Sequence, residues 1–219
     1  MMCSKNDFLN NYWNYYLLLE EEYIEIERII PVDDINNKTF SNSYMKILFS
    51  LCSEIDILFK IFIEFNNWAN FSKTEGNMGK YKDIITKNLP YFSNEILVFS
   101  DTKELKPFDN WNLGKKLTWW DDYTLIKHKR TLTTDDKVNY KKANQENILN
   151  ALCALYQLEM YYYKSIIDIN NNKDKLRIPV PQSKRIRIKD WKDNADLIDN
   201  RYIQYIDEEG HLIIEGDFD

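Results

Sequence analysis

Glycine and proline are both scarce in this 219-residue chain, with five of each. So few breakers exclude a many-turned β architecture and favour long helices. Histidine is scarcer still, at two residues, and no Cys/His spacing matches a zinc site, so no metal and no cofactor is expected. The three cysteines, Cys3, Cys52 and Cys153, are odd in number and far apart. A disulfide framework is therefore not expected; Cys52 and Cys153 fall in helical apolar patterns and read as small buried hydrophobes of a reducing compartment. The chain has neither a GxxxxGK[ST] loop nor a GxGxxG turn, which argues against nucleotide cradling by glycine. Met1–Asp7 carries no apolar run and no small-residue cleavage site, so no leader is expected and the protein is placed in the cytoplasm. The most apolar stretch, Ile47 to Phe65, holds Glu54, Asp56, Lys60 and Glu64. That many ionisable groups make a bilayer span costly, and no membrane partner is expected.

What the chain does have is core material and charge: hydrophobic residues make up 44%, aromatics 15% and charged residues 29%. This suits one hydrophobic core and argues against wholesale disorder. The net charge of −6 is unevenly spread, because residues 207–219 carry six acids and no Lys or Arg, leaving residues 1–206 formally neutral. Lys115–Lys142 has eight basic residues against four acidic, and Lys173–Lys192 has eight against two. Such stretches are either solvated surface or phosphate-facing surface, in the second case with an acidic tail able to compete.

Periodicity predicts a mainly α fold. A first helix is expected from Asp7, available as its cap, to Ile29, just before Pro31. A second, capped by Ser41 or Ser43, carries Ile47, Leu51, Leu58, Ile61 and Phe65 as one buried stripe. Helices are also expected over Lys80–Asn88, Thr118–Lys129 and Tyr140–Ile169. Glu95–Phe99 and Glu104–Pro107 read as short extended pieces, and Thr131–Asp136 as a turn-like linker. The pattern then changes. Arg185–Lys189 alternates as a strand does, and Tyr202–Ile206 and His211–Glu215 flank a turn as a β-hairpin. The expected division is a helical bundle over residues 1–169 and a β appendage with an acidic tail over 170–219.

One constellation carries chemistry. Glu54 lies three residues after Leu51 and four before Leu58, a stripe position where a carboxylate needs a partner, because an uncompensated buried charge costs about 3–5 kcal/mol. Asp56 points to another face. In the Trp119–Arg130 segment, Trp120, Tyr123, Lys127 and Arg130 share one helix face, and one of these cations is expected to meet Glu54. His128 lies among Lys127, Lys129 and Arg130, and like charges disfavour its protonation. A neutral imidazole beside cations fits phosphodiester cleavage, with His128 moving the proton and Lys127 or Arg130 holding the phosphate. The plainer reading is a Trp pair in the core and basic residues at a helix C-terminus.

The order of these features, Ser53-Glu54-x-Asp56, then Trp119-Trp120-x-x-Tyr123-x-x-x-Lys127-His128-x-Arg130, then Asn150-Ala151-Leu152-x-Ala154-Leu155, resembles uncharacterised bacterial all-α proteins and, more distantly, the HEPN superfamily. The likeness covers roughly residues 7–169. It implies a HEPN-like helical bundle, often dimeric, with a place in a bacterial defence or toxin–antitoxin-type system as a metal-independent ribonuclease or RNA-binding protein. Carried over residue by residue, Glu54 and Asp56 match the family's acidic pair and His128 its histidine; Tyr123 and Asp122 stand where the family has an arginine. The alternative is a non-catalytic helical adaptor that binds a partner protein or its own copy through exposed aromatics such as Tyr161, Tyr162 and Tyr163, with Glu54 in a structural ion pair.

Overall fold

The structure is a computed structural model that describes residues 3–71, 76–169 and 178–191, together with the backbone of Ile203–Ile206 and Leu212–Glu215. It is mainly helical, with small antiparallel sheets. No helix among the described residues is long and apolar enough to cross a membrane.

The first helix begins as α1 (Lys5–Phe8), passes through a π-helical turn over Leu9–Trp13 and continues as α2 (Asn14–Glu27). Its cap is Ser4 rather than Asp7. The Ser4 hydroxyl accepts from the Asp7 amide while the Asp7 carboxylate reaches back to the Ser4 amide, a reciprocal capping box that makes Asp7 the third helical residue. Ser41 caps α3 (Asn42–Phe65) by accepting from the Tyr44 amide at 3.0 Å. The buried face of α3 runs through Ile47, Leu51, Ile55, Leu58 and Phe62, and the expected stripe members Ile61 and Phe65 are only half-buried. The next helices are α4 (Met78–Asn88), capped by Asn77, and α5 (Thr118–Lys129). Last comes α6 (Gln145–Ile169), which is shorter at its start than periodicity predicts, because Asn139–Lys142 forms a 3-10 turn.

Helix α6 is the axis of the molecule. Every residue from Asn147 to Tyr163 except Asn150 is buried, so it is surrounded on all sides instead of showing one apolar stripe. It packs along α3, with α2 and α5 flanking the pair. Tyr161, Tyr162 and Tyr163 are 2%, 1% and 1% exposed, so the exposed aromatic surface expected of them does not exist. Tyr161 donates to Glu95 Oε1 at 2.9 Å, and Tyr162 meets Phe62 and Phe65 edge-on.

The sheet brings a strand from late in the chain onto a hairpin near its middle. Strands β1 (Ile96–Phe99) and β2 (Lys103–Leu105) form a hairpin, and β5 (Ile186–Lys189) pairs antiparallel with the other edge of β1, giving the order β2-β1-β5. Leu97 stands opposite Leu105 on one side and Ile188 on the other. Residues leading into β5 are tied to the first helix by Glu20, a carboxylate 1% exposed. It accepts from Tyr16 Oη at 3.1 Å, from the Lys184 and Arg185 amides at 2.9 and 3.2 Å, and from the Ser183 hydroxyl. Trp13 Nε1 adds a bond to the Pro181 carbonyl at 2.7 Å. Residues 178–191 are thus held on the same core as the helices. A ribbon of β3 (Thr133–Thr134) and β4 (Lys137–Val138) replaces the expected linker. The sequence-predicted C-terminal hairpin is present as β6 (Ile203–Ile206) and β7 (Leu212–Glu215), antiparallel to each other. Of the acidic tail, only the backbone of Leu212–Glu215 is described, and residues 173–177 and 192 of the second basic stretch lie outside the described residues.

Candidate functional site

The Trp119–Arg130 segment forms α5 over its expected range, and its burial divides it sharply. Trp119, Tyr123 and Ile126 are buried, while Lys127, His128, Lys129 and Arg130 are all exposed. Trp119 is fixed by an Nε1 bond to the Pro107 carbonyl at 2.8 Å, and Trp120 packs against Tyr123 with ring centres 5.2 Å apart. Tyr123 in turn meets Phe49 of α3 edge-on at 5.5 Å. Its hydroxyl is pushed up to about 12, first by burial and then by the nearby Cys52 and Asp56.

The basic end is built on that aromatic seat. Lys127 Nζ lies 5.7 Å from the centre of the Tyr123 ring, and the Arg130 guanidinium lies 5.6 Å from that of Phe49. Cation–π contact holds both stems while leaving the charged groups in water. Lys127, Lys129 and Arg130 form no ion pair with any described residue, and His128 makes no hydrogen bond with one. The β3–β4 ribbon folds back to close the helix end. Asn139 Nδ2 donates to the Lys129 carbonyl at 2.8 Å, and the Tyr140 amide donates to the Arg130 carbonyl at 3.1 Å. These bonds satisfy carbonyls that any helix C-terminus leaves open. The ribbon turns through Asp135 and Asp136, both at positive φ (52° and 61°), a conformation that Asp tolerates better than most residues. It carries Lys137 and Lys141, both exposed, to the same end of the molecule; Lys141 Nζ lies 5.5 Å from the centre of the Phe40 ring, itself 40% exposed. The next lysine behaves differently, since Lys142 pairs with Asp122 at 2.7 Å and both are mostly buried.

The six residues singled out from sequence do not form one constellation. Tyr123, Lys127 and Arg130 lie together against α3, and His128, about 100° round the helix from Lys127, faces solvent. Asp56 makes its charge felt at the Tyr123 hydroxyl but is engaged elsewhere, accepting from Tyr81 Oη at 2.8 Å and pairing with Lys60 at 2.5 Å. Glu54 lies apart. It is half-buried and makes no hydrogen bond or ion pair with any described residue, so the expected contact with a cation of α5 is not made. Burial holds its carboxyl above the usual range, and the groups that feel its charge are Tyr12 and Glu159. Two residues on a helix separated by two positions point about 200° apart, which is why Glu54 and Asp56 serve different neighbourhoods.

Sequence reasoning passed over Glu159. It is 1% exposed, its Oε2 has no hydrogen-bond partner, and burial, followed by Glu54, pushes its carboxyl well up. The signal was available: Glu159 is the only Asp, Glu, Lys or Arg between Glu146 and Lys164, inside the most apolar helix of the chain. Glu20 was passed over too, because its run of neighbouring glutamates reads as a solvated face.

The fold and this surface define the class of protein as a mainly helical one with an exposed, unpaired cationic helix end. Compared with known proteins, the chain matches no family model, no curated protein and no solved structure.

Proposed function

We propose that the protein binds RNA through the C-terminal end of α5 and the adjoining ribbon, as a HEPN-like component of a bacterial defence or toxin–antitoxin-type system. The observation that carries this reading is the group of exposed cations Lys127, Lys129, Arg130, Lys137 and Lys141, none of them neutralised by a carboxylate among the described residues. Unpaired cations gathered at one place release counterions when they meet phosphates, and this term dominates non-specific nucleic-acid affinity. Phe40, with Lys141 over its ring, offers an exposed face on which an unstacked base can lie.

Binding is favoured over cleavage. A proton-transfer group needs a fixed position and a partner, and His128 is exposed, with neither a carboxylate nor a backbone carbonyl among the described residues orienting it. The test is affinity for single-stranded RNA as a function of salt. Tight binding at low salt that falls steeply with added salt, and that weakens in Lys127→Ala/Arg130→Ala, supports the reading. Salt-insensitive binding, or equal affinity in the double variant, refutes it. Cleavage by the parent that disappears in a folded His128→Ala variant would instead assign a ribonuclease.

A further inference from the structure

At the opposite end of α5 from the cationic surface, the start of that helix, the first turns of α6 and the segment 106–110 enclose a cleft of about 310 Å³. That volume stands at the small end of ligand sites. The segment 106–110 is pinned to α5. Trp119 Nε1 donates to the Pro107 carbonyl at 2.8 Å, and Asn110 Nδ2 donates to the Lys116 carbonyl and Thr118 Oγ1 at 3.0 and 3.3 Å. Two of the lining acids are already neutralised, Glu146 by Lys38 and Asp122 by Lys142. The charges left without an ion pair among the described residues are one cation, Lys106, and one anion, Asp109, both exposed on the same wall.

The lining residues also leave backbone and amide groups unused. Helix α5 starts at Leu117, which has no side-chain oxygen to cap it, and the amides of Thr118 and Trp119 have no hydrogen-bond partner among the described residues. Such amides, with the helix dipole behind them, attract an anion. Trp119 is only 4% exposed, so bulk water is a poor substitute partner. Asn147 of α6 is equally buried. Its Nδ2 donates to Asp122 Oδ2 at 2.9 Å and to the Lys142 carbonyl at 2.8 Å. Both partners are acceptors, which fixes the nitrogen and leaves Oδ1 as the amide atom with no partner, on a residue that lines the cleft. Asn110 and Asn150 repeat the pattern: each donates its Nδ2 to a backbone carbonyl and keeps an unpartnered oxygen. Secluded acceptors of this kind call for a donor.

From this arrangement we propose that the cleft binds a small zwitterionic amino acid with an uncharged, hydrogen-bond-donating side chain. Its carboxylate is held by the free amides of Thr118 and Trp119 and by Lys106. Its ammonium is held by Asn147 Oδ1 and the Asp109 carboxylate, and its side chain donates to the amide oxygens of Asn110 and Asn150. The match is one of charge and of hydrogen-bond sense. One free cation and one free anion ask for a ligand of both signs, and three unpartnered amide oxygens ask for donors. Asp109 keeps an oxygen for this role, since only its Oδ1 accepts locally, from Asn112 Nδ2 at 3.3 Å. The polar lining and small volume exclude a large apolar ligand.

Calorimetric titration of the full chain with L-glutamine tests this. The expected result is saturable binding of one L-glutamine per chain with a Kd below about 1 mM. Glutaramate, which lacks the ammonium, 4-aminobutanamide, which lacks the carboxylate, and L-leucine, which lacks the polar side chain, each bind at least about tenfold more weakly. Lys106→Ala and Asp109→Asn each weaken L-glutamine binding by at least about tenfold. Thr118→Pro deletes one of the two free amides at a helix position that suits proline, after a Leu117 whose ψ of 116° already meets proline's demand on its predecessor. It keeps the parent's circular dichroism and binds at least about tenfold more weakly than Thr118→Ala, which loses the same hydroxyl but keeps the amide. Lys127→Ala/Arg130→Ala, at the other end of α5, binds L-glutamine as the parent does. No binding by the parent, unchanged affinity in Lys106→Ala or Asp109→Asn, equal affinities in Thr118→Pro and Thr118→Ala, equal affinity for L-leucine, or loss of binding in Lys127→Ala/Arg130→Ala would overturn the proposal.

Discussion

The outer end of α5 and the middle of α6 treat charge in opposite ways. At the end of α5, cations stand in water on aromatic rings, at a helix C-terminus whose dipole favours positive charge. In α6, Glu159 is enclosed by apolar neighbours, and Glu54 from the adjacent helix raises its cost instead of offsetting it. The first region is electrostatically comfortable and contributes little to stability. The second holds the protein below the stability it would otherwise have.

A third carboxylate calibrates the comparison. Glu20 is as buried as Glu159 but is surrounded by donors. Glu20→Ala leaves the Ser183 hydroxyl and two backbone amides without their acceptor, and is expected to cost about 3 kcal/mol in urea unfolding. A variant as stable as the parent would show that residues 178–191 are not held by this hub. The next largest effect has the opposite sign. Glu159→Gln relieves a buried, unpaired carboxylate and is expected to stabilise the protein at pH 7 by about 1 kcal/mol; destabilisation would mean that Glu159 has a compensating partner.

The pH dependence sharpens this. Folding raises the Glu159 carboxyl above the ordinary glutamate value of 4.5, so the folded state binds more protons than the unfolded one. Stability from this group is therefore greatest below 4.5 and is lost as pH rises from there through the raised folded value. The difference between parent and Glu159→Gln is expected to be small at pH 4 and to widen towards pH 8, as read by urea midpoints. A constant difference would place the effect in packing and not in ionisation. The smallest stability effect belongs to the other region: Lys127→Ala/Arg130→Ala is expected to leave the melting temperature nearly unchanged, because surface substitutions away from special features seldom matter. A large drop would recast the basic end as a structural element.

Much of the architecture was legible in the sequence because periodicity reports burial directly. The α5 range, an α3 cap at one of Ser41 and Ser43, the extended pieces near Glu95 and Glu104 and the Arg185–Lys189 strand all follow from spacing and caps. Pairing was not legible. Nothing in the alternation of Arg185–Lys189 says that it completes a sheet with β1, because its partners Ile96–Phe99 lie far earlier in the chain. The exposed aromatics of the adaptor reading fail for a related reason: Tyr161–Tyr163 point in three directions, and α6 is covered on every side. The site divided along the same line. The cationic end of α5 is local and was read from its motif. The company that Glu54 keeps depends on how the first helix and α6 close over α3, and a residue at the edge of a stripe does not announce which neighbour lies beyond it.

If the α5 end meets RNA phosphates as proposed, the slope of log affinity against log salt for a single-stranded RNA reports it. Each phosphate contact contributes about 0.7 to that slope for single strands. Removing two such contacts in Lys127→Ala/Arg130→Ala is predicted to flatten it by about 1.4 while the melting temperature stays in place. An unchanged slope in a folded double variant would contradict the claim and place any RNA affinity elsewhere on the molecule.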